Sequence, residues 1–142
     1  MQDLALQAAG VLAIVVSLMH GVIAELRVFP AARVEPGWTR TLLRMVWQAS
    51  TVDWIAVGVL LIAAPSLDTP ARQWIVGVAL VVYGYAAIGN AVATRGRHVG
   101  WMLMAAVLAL ALVGLWKAFR SAGTAPYRLR DLSAASPAQV VS

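Results

Sequence analysis

Apolar residues fall in four blocks along this chain, each about as long as a membrane-crossing helix and separated from the next by a short polar break. The pattern predicts helices over about 4–27, 41–64, 70–93 and 98–119. At a rise of ~1.5 Å per residue, the first block spans roughly 35 Å, enough to cross a hydrocarbon layer with some tilt. Within it Ala9, Ala13, Ser17 and Gly21 recur at every fourth position, a small-residue ridge suited to close helix packing, and Glu25 is next on that ridge. The break from Pro30 to Arg40, with Pro36, Gly37 and Trp38, reads as an interfacial loop. The turn from Pro65 to Pro70 makes the second and third helices antiparallel neighbours, with Thr69 as the expected cap and Pro70 at the first helical position. Gly96 is the expected residue closing the third helix. Trp116, Lys117 and Arg120 read as an aromatic and basic anchor, and residues 121–142 as a flexible polar tail.

The expected fold is thus all-α: an integral membrane bundle of four transmembrane helices, up-and-down, occupying residues 1–120. Composition agrees, since 61% of the 142 residues are hydrophobic and only 12% are charged, which leaves no room for a soluble catalytic domain beside the bundle. The net charge of +5 is not a nucleic-acid signal, because the Lys and Arg residues sit in the breaks and the tail. There they flank membrane segments and meet anionic lipid headgroups, so the expected partners are the bilayer and its headgroups, with no nucleic acid. A homo-oligomer or a larger membrane complex is the expected assembly. With no cysteine, thiolate metal sites and disulfides are excluded. The N-terminus lacks the basic region and cleavage site of a signal peptide, and the first block is expected to remain in the mature protein.

Four crossings put both termini on one side, A, and the two basic breaks on the other, B. Arg27, Arg33, Arg40, Arg44, Arg95 and Arg97 lie on side B, against Arg72, Lys117 and Arg120 near the membrane on side A. Arg128 and Arg130 of the tail add to side A and narrow the excess to six against five, so the positive-inside rule only weakly favours a cytoplasmic side B and periplasmic termini, with a dual topology as the alternative.

Polar residues within the blocks are distributed one-sidedly. Asp53, Ser17 and Tyr83 fall near mid-depth, with Ser50 and Tyr85 slightly toward side B. His20 and Gln48 lie roughly 7 Å toward that side, and Glu25, Arg44, Asn90 and His98 form an interfacial polar layer at roughly 12 to 15 Å. The A half is almost wholly aliphatic, which argues against a continuous aqueous pore. A carboxyl at the depth of Asp53 is costly unless a polar group receives it, and Tyr83, Tyr85, Ser17 and His20 are the expected partners. A pocket open to side B and lined by His20, Asp53, Trp54, Tyr83, Tyr85, Gln48, Ser17 and Ser50 follows, with a packing role as its plain alternative. An ion pair of Glu25 with Arg27, Arg44 or His98 is expected at the interface.

Several chemistries fit poorly. His20 and His98 differ by roughly 8 Å in expected depth, which disfavours bis-histidine haem. His20, Asp53 and Glu25 are too few and too spread for zinc. Copper(I) through Met19, Met102, Met104 and His20 competes with the commoner use of methionine as packing. No nucleophile motif surrounds Ser17 or Ser50. The chain matches small multidrug transporters in size and helix count, but their embedded glutamate lies deep in the first helix, whereas Glu25 is near its end.

The stretches His20-Gly-Val-Ile-Ala-Glu25, Trp47-Gln-Ala-Ser50 with Trp54, and Thr94 to Trp101 resemble a group of small uncharacterised four-helix bacterial membrane proteins with no known activity. In that group a histidine often follows the tryptophan matching Trp47, where this chain has Gln48. The resemblance implies a bacterial inner-membrane location. The leading functional expectation is a non-enzymatic accessory or assembly subunit whose pocket supports packing or binds a small ligand or lipid headgroup. The alternative is a cofactor or metal protein, for instance a quinone site in which Trp47, Trp54 and the tyrosines pack the ring while His20 and Asp53 meet its oxygens. A third reading is a small transporter dimerising along the ridge from Ala9 to Gly21.

Overall fold

Helix boundaries follow the chemistry of the breaks. The computed structural model describes the backbone of residues 1–123 and the side chains of residues 1–116, and the chain is all-helical there. The expected tail lies outside the described residues from 124 onward, as do the side chains of Lys117 and Arg120. Helix α1 runs over Gln2–Ile23 and continues through a π-helical turn, Ala24–Val28, into one last α-turn, Phe29–Ala31. Helix α2 spans Gly37–Ala63 and ends in a 3₁₀ turn, Ala64–Ser66. Helices α3, Thr69–Ala93, and α4, Gly100–Gly123, complete the bundle.

The cap of α3 is Asp68 rather than the expected Thr69. The Asp68 backbone is extended and its Oδ1 accepts the Ala71 N–H at 2.9 Å, which leaves Thr69 and Pro70 in the first helical turn. At the other end the chain turns left-handed at both Arg95 (φ 52°) and Gly96 (φ 72°), and the Gly96 N–H donates to the Ala91 carbonyl at 2.7 Å. Gly96 closes α3 as expected, but it shares the strained conformation with an arginine.

The four helices form a ring in which α1 packs on α2 and α4, and α3 packs on α4 and more lightly on α2. Arg72 secures one end of the bundle: it pairs with Asp3 at 3.3 Å and donates to the carbonyls of Ala64 and Pro65 at 3.3 and 2.7 Å. The starts of α1 and α3 therefore lie beside the end of α2, as an up-and-down order requires.

Small residues decide how close the helices come. Ala9, Ala13 and Ser17 are fully buried and Gly21 is buried with them, so the ridge is used inside the bundle. A second copy does not meet it there, because Ala13 and Gly21 face Gly58 and Thr51 of α2 and Ser17 faces Tyr83 of α3. A Cβ on Gly10 would lie 2.5 Å from the Gly58 carbonyl oxygen, so α1 and α2 meet there backbone to backbone. Leu6, Leu61, Val76 and Val107 fill the remaining core. Three helices are long and apolar enough to cross a membrane, and the described apolar part of α4, Gly100–Trp116, is shorter. Large apolar side chains such as Val11, Val52, Val81 and Leu112 are exposed on all four helices.

Gly10→Ala should destabilise the bundle by about 1 to 3 kcal/mol through overpacking, whereas Gly77→Ala, whose new methyl would meet nothing within 4 Å, should not. Thermal unfolding of the two variants in detergent distinguishes them.

Candidate functional site

Trp47 and Trp54 are seven residues apart on α2, so they share a face and stand roughly 10 Å apart along it. That separation leaves a slot one ring thick. His20 of α1 fills it, stacked on Trp47 with centroids 4.5 Å apart and planes at 8°, and tilted against Trp54 at 4.6 Å and 34°. Phe29 makes a T-shaped pair with Trp47 at 5.8 Å, and Tyr83 of α3 lies 5.8 Å from Trp54. Five rings from three helices thus form one column, Phe29, Trp47, His20, Trp54 and Tyr83.

The π turn makes the upper part of this column. In an uninterrupted α-helix, about 100° of rotation per residue would carry Phe29 to the side opposite His20. The wider turn over Ala24–Val28 delays the rotation by roughly a quarter turn and so swings Phe29 toward Trp47, where it is 7% exposed. Arg40 of α2 fixes the end of α1 by donating to the Phe29 carbonyl at 2.7 Å.

Hydrogen bonds hold the lower part. The Tyr83 hydroxyl donates to the Trp54 carbonyl at 2.9 Å, and Ser17 donates to the Ala13 carbonyl at 2.6 Å. Each hydroxyl has a single proton, so with both committed the 3.5 Å approach of Ser17 and Tyr83 is a packing contact. Ser50 and Thr51 both donate back to the Trp47 carbonyl, at 2.7 and 3.2 Å.

Two cavities flank His20. The outer one, about 420 Å³, lies between the end of α1 and α2, with Phe29, Arg40, Trp47, Ser50 and Trp54 among its walls. The inner one, about 280 Å³, opens among α1, α3 and α4 and is lined by His20, Trp47, Asn90, Thr94, His98 and Met104 among others. The His20–Trp47 pair belongs to both and separates them. The Trp47 indole N–H reaches the His20 carbonyl at 3.4 Å, but the ring nitrogens of His20 and the N–H of Trp54 have no hydrogen-bond partner among the described residues. Asn90 Oδ1 is buried beside the inner cavity without a hydrogen-bond partner among the described residues. His98 Nδ1 is engaged by the Gly100 N–H at 3.0 Å, which starts α4. Among the described residues no three metal-binding side chains converge.

The other expected site residues separate into two groups. Glu25 pairs with Arg44, as one of the expected ion pairs, and also accepts from Gln48 at 2.7 Å. Gln48 reaches the Gly21 carbonyl at 3.4 Å too, so this cluster clamps α1 to α2 along a groove of about 350 Å³ on the outside of the bundle. Gln48 is thereby a member of the interfacial layer and not of the pocket. Asp53 and Tyr85 are corrections of a different kind. Both are exposed on the outside of the bundle, neither touches the column, and neither has a hydrogen-bond partner among the described residues. Depth along a helix says nothing of azimuth, and azimuth turns these two side chains outward.

Phe29 and Arg40 join the site without having been expected there. A π turn has no composition signature, so no pattern in the sequence points to them. Comparison with protein families, with curated proteins and with solved structures finds no match for this chain.

Tyr83→Phe removes a hydrogen bond from a fully buried side chain and should cost about 0.5 to 1.5 kcal/mol. The measurement is again the unfolding temperature in detergent, with tryptophan fluorescence reporting a change around Trp54.

Proposed function

We propose that this chain is a non-enzymatic integral membrane protein of four transmembrane helices, an accessory subunit of the bacterial inner membrane that binds a small amphipathic molecule beside His20. The single observation that carries the reading is the state of His20: its ring is clamped between two tryptophans, its nitrogens have no partner among the described residues, and cavities lie on both sides of it. An imidazole held rigid by stacking and left without a protein partner is prepared for a ligand polar atom. The exposed apolar side chains on every helix support the membrane placement, because a water-soluble bundle of this size would not carry so many.

The walls favour a flat, largely apolar ligand with oxygen substituents, which is the chemistry of a quinone headgroup. Its ring would lie against Trp47, Phe29 or Trp54, with a carbonyl oxygen accepting from His20 or from the Trp54 N–H. Asp53 has no part in this version of the quinone reading. The basic residues Arg40 and Arg44 lie at the same end, and by the positive-inside rule a cytoplasmic position of that end is the favoured orientation.

Titration of the protein in nanodiscs with a short-chain benzoquinone should quench tryptophan fluorescence saturably. His20→Ala should weaken binding about tenfold, the loss of one hydrogen bond of about 1.4 kcal/mol, while Asp53→Asn should leave it unchanged. Non-saturable quenching, equal in both variants, would rule the quinone out. For sidedness, a cysteine at Glu35 should be protected from a membrane-impermeant thiol reagent in intact cells and one at Ser66 should react, since the chain has no cysteine of its own.

A further inference from the structure

Asp53 and Tyr85 are the two polar side chains that the bundle leaves outside at the middle of its length. Their common level follows from the bond between the Tyr83 hydroxyl and the Trp54 carbonyl: Asp53 precedes Trp54 on α2, and Tyr85 follows Tyr83 by two residues on the antiparallel α3. Both therefore lie within about one turn of that bond. Tyr83 is fully buried and Tyr85, about 200° further round the helix, is 83% exposed, so Tyr85 points directly away from the core. Lipid tails cover exposed valines without cost, but they offer nothing to a carboxyl or a phenol.

Tyr85 is also central in a row of exposed side chains on α3: Trp74, Val78, Val81, Tyr85, Ile88 and Val92. The steps alternate between four and three, the spacing of a seam that interlocks with a parallel copy of itself. A two-fold axis running along the bundle keeps every residue at its own depth, so it pairs only groups that share a level. Asp53 and Tyr85 meet that condition, one as acceptor and the other as donor.

We propose that two copies of this chain associate through the outer face of α2 and α3, with Tyr85 of each donating a hydrogen bond to the partner's Asp53. The phenol donates to a carboxyl oxygen whichever protonation state Asp53 adopts. The α3 rows pack against each other along the axis, and the two hydrogen bonds flank them. This face is opposite in kind to the buried ridge of α1: it is wide, built of large side chains, and left free by the bundle. The inference rests on the membrane placement proposed above and is independent of the ligand.

The test uses the full-length chain in its own membrane. Val81→Cys, on the row, should form a disulfide-linked dimer with copper phenanthroline, whereas Val113→Cys, exposed on α4, should remain at background. Adding Asp53→Leu to Val81→Cys should lower the yield about fivefold or more, and Asp53→Asn, which keeps an acceptor oxygen, should restore most of it; a fivefold change corresponds to about 1 kcal/mol. Native mass spectrometry of the unsubstituted chain should show a dimer. Equal crosslinking of both cysteine variants, a monomer throughout, or a crosslink to a different polypeptide would each overturn the proposal. An alkaline wash separates the causes: a monomer retained in the bilayer defeats the dimer alone, and a chain released from it defeats the membrane placement as well.

Discussion

The contact of α1 with α2 at Gly10 and Gly58 sets the geometry on which the rest depends. Backbone meets backbone there, so the two helices run close enough for the His20 ring to reach between Trp47 and Trp54 ten residues further along α1. Were either glycine larger, the helices would part and the slot would lose its third ring. The same closeness lets Glu25 reach Arg44 and Gln48 across the end of the pair. Packing at one end of α1 therefore prepares the polar and aromatic chemistry at the other.

Inside the bundle, polar groups are handled locally. Ser17, Ser50 and Thr51 return their protons to their own helices, and Tyr83 gives its proton to α2, so these four hydroxyls are all paired. The unpaired atoms are found in two other places. His20, Trp54 and Asn90 have them at the cavities, and Asp53 and Tyr85 have them on the outside. An unpaired polar group costs far more away from water than at a wetted surface, so these are the positions at which the surroundings of the bundle matter most.

The helical fold was legible because period and length carry it: four apolar blocks, breaks rich in proline and glycine, and a small-residue ridge on α1 that the bundle does bury. The ion pair of Glu25 and Arg44 was legible as one of three options. His20, Trp54 and Ser50 are pocket residues by type and depth, and the structure places all three around the cavities; Asn90, expected in the interfacial layer, and Trp47, expected only in the quinone reading, line them as well. Asp53 and Tyr85 were assigned to the same pocket for the same reason, and they lie outside it. Ser17 and Tyr83 support the pocket from below without lining either cavity.

By itself, then, the sequence determined the number of helices, their ends to within a few residues, their apolar character, and which polar side chains share a level, since all of these depend on local spacing. Only the tertiary structure decided which way each polar side chain faces. That depends on which neighbour each helix packs against and at what rotation, and one π turn, invisible in composition, is enough to bring Phe29 around to Trp47. Rotation is settled by the sum of contacts along a helix, and no single residue announces it.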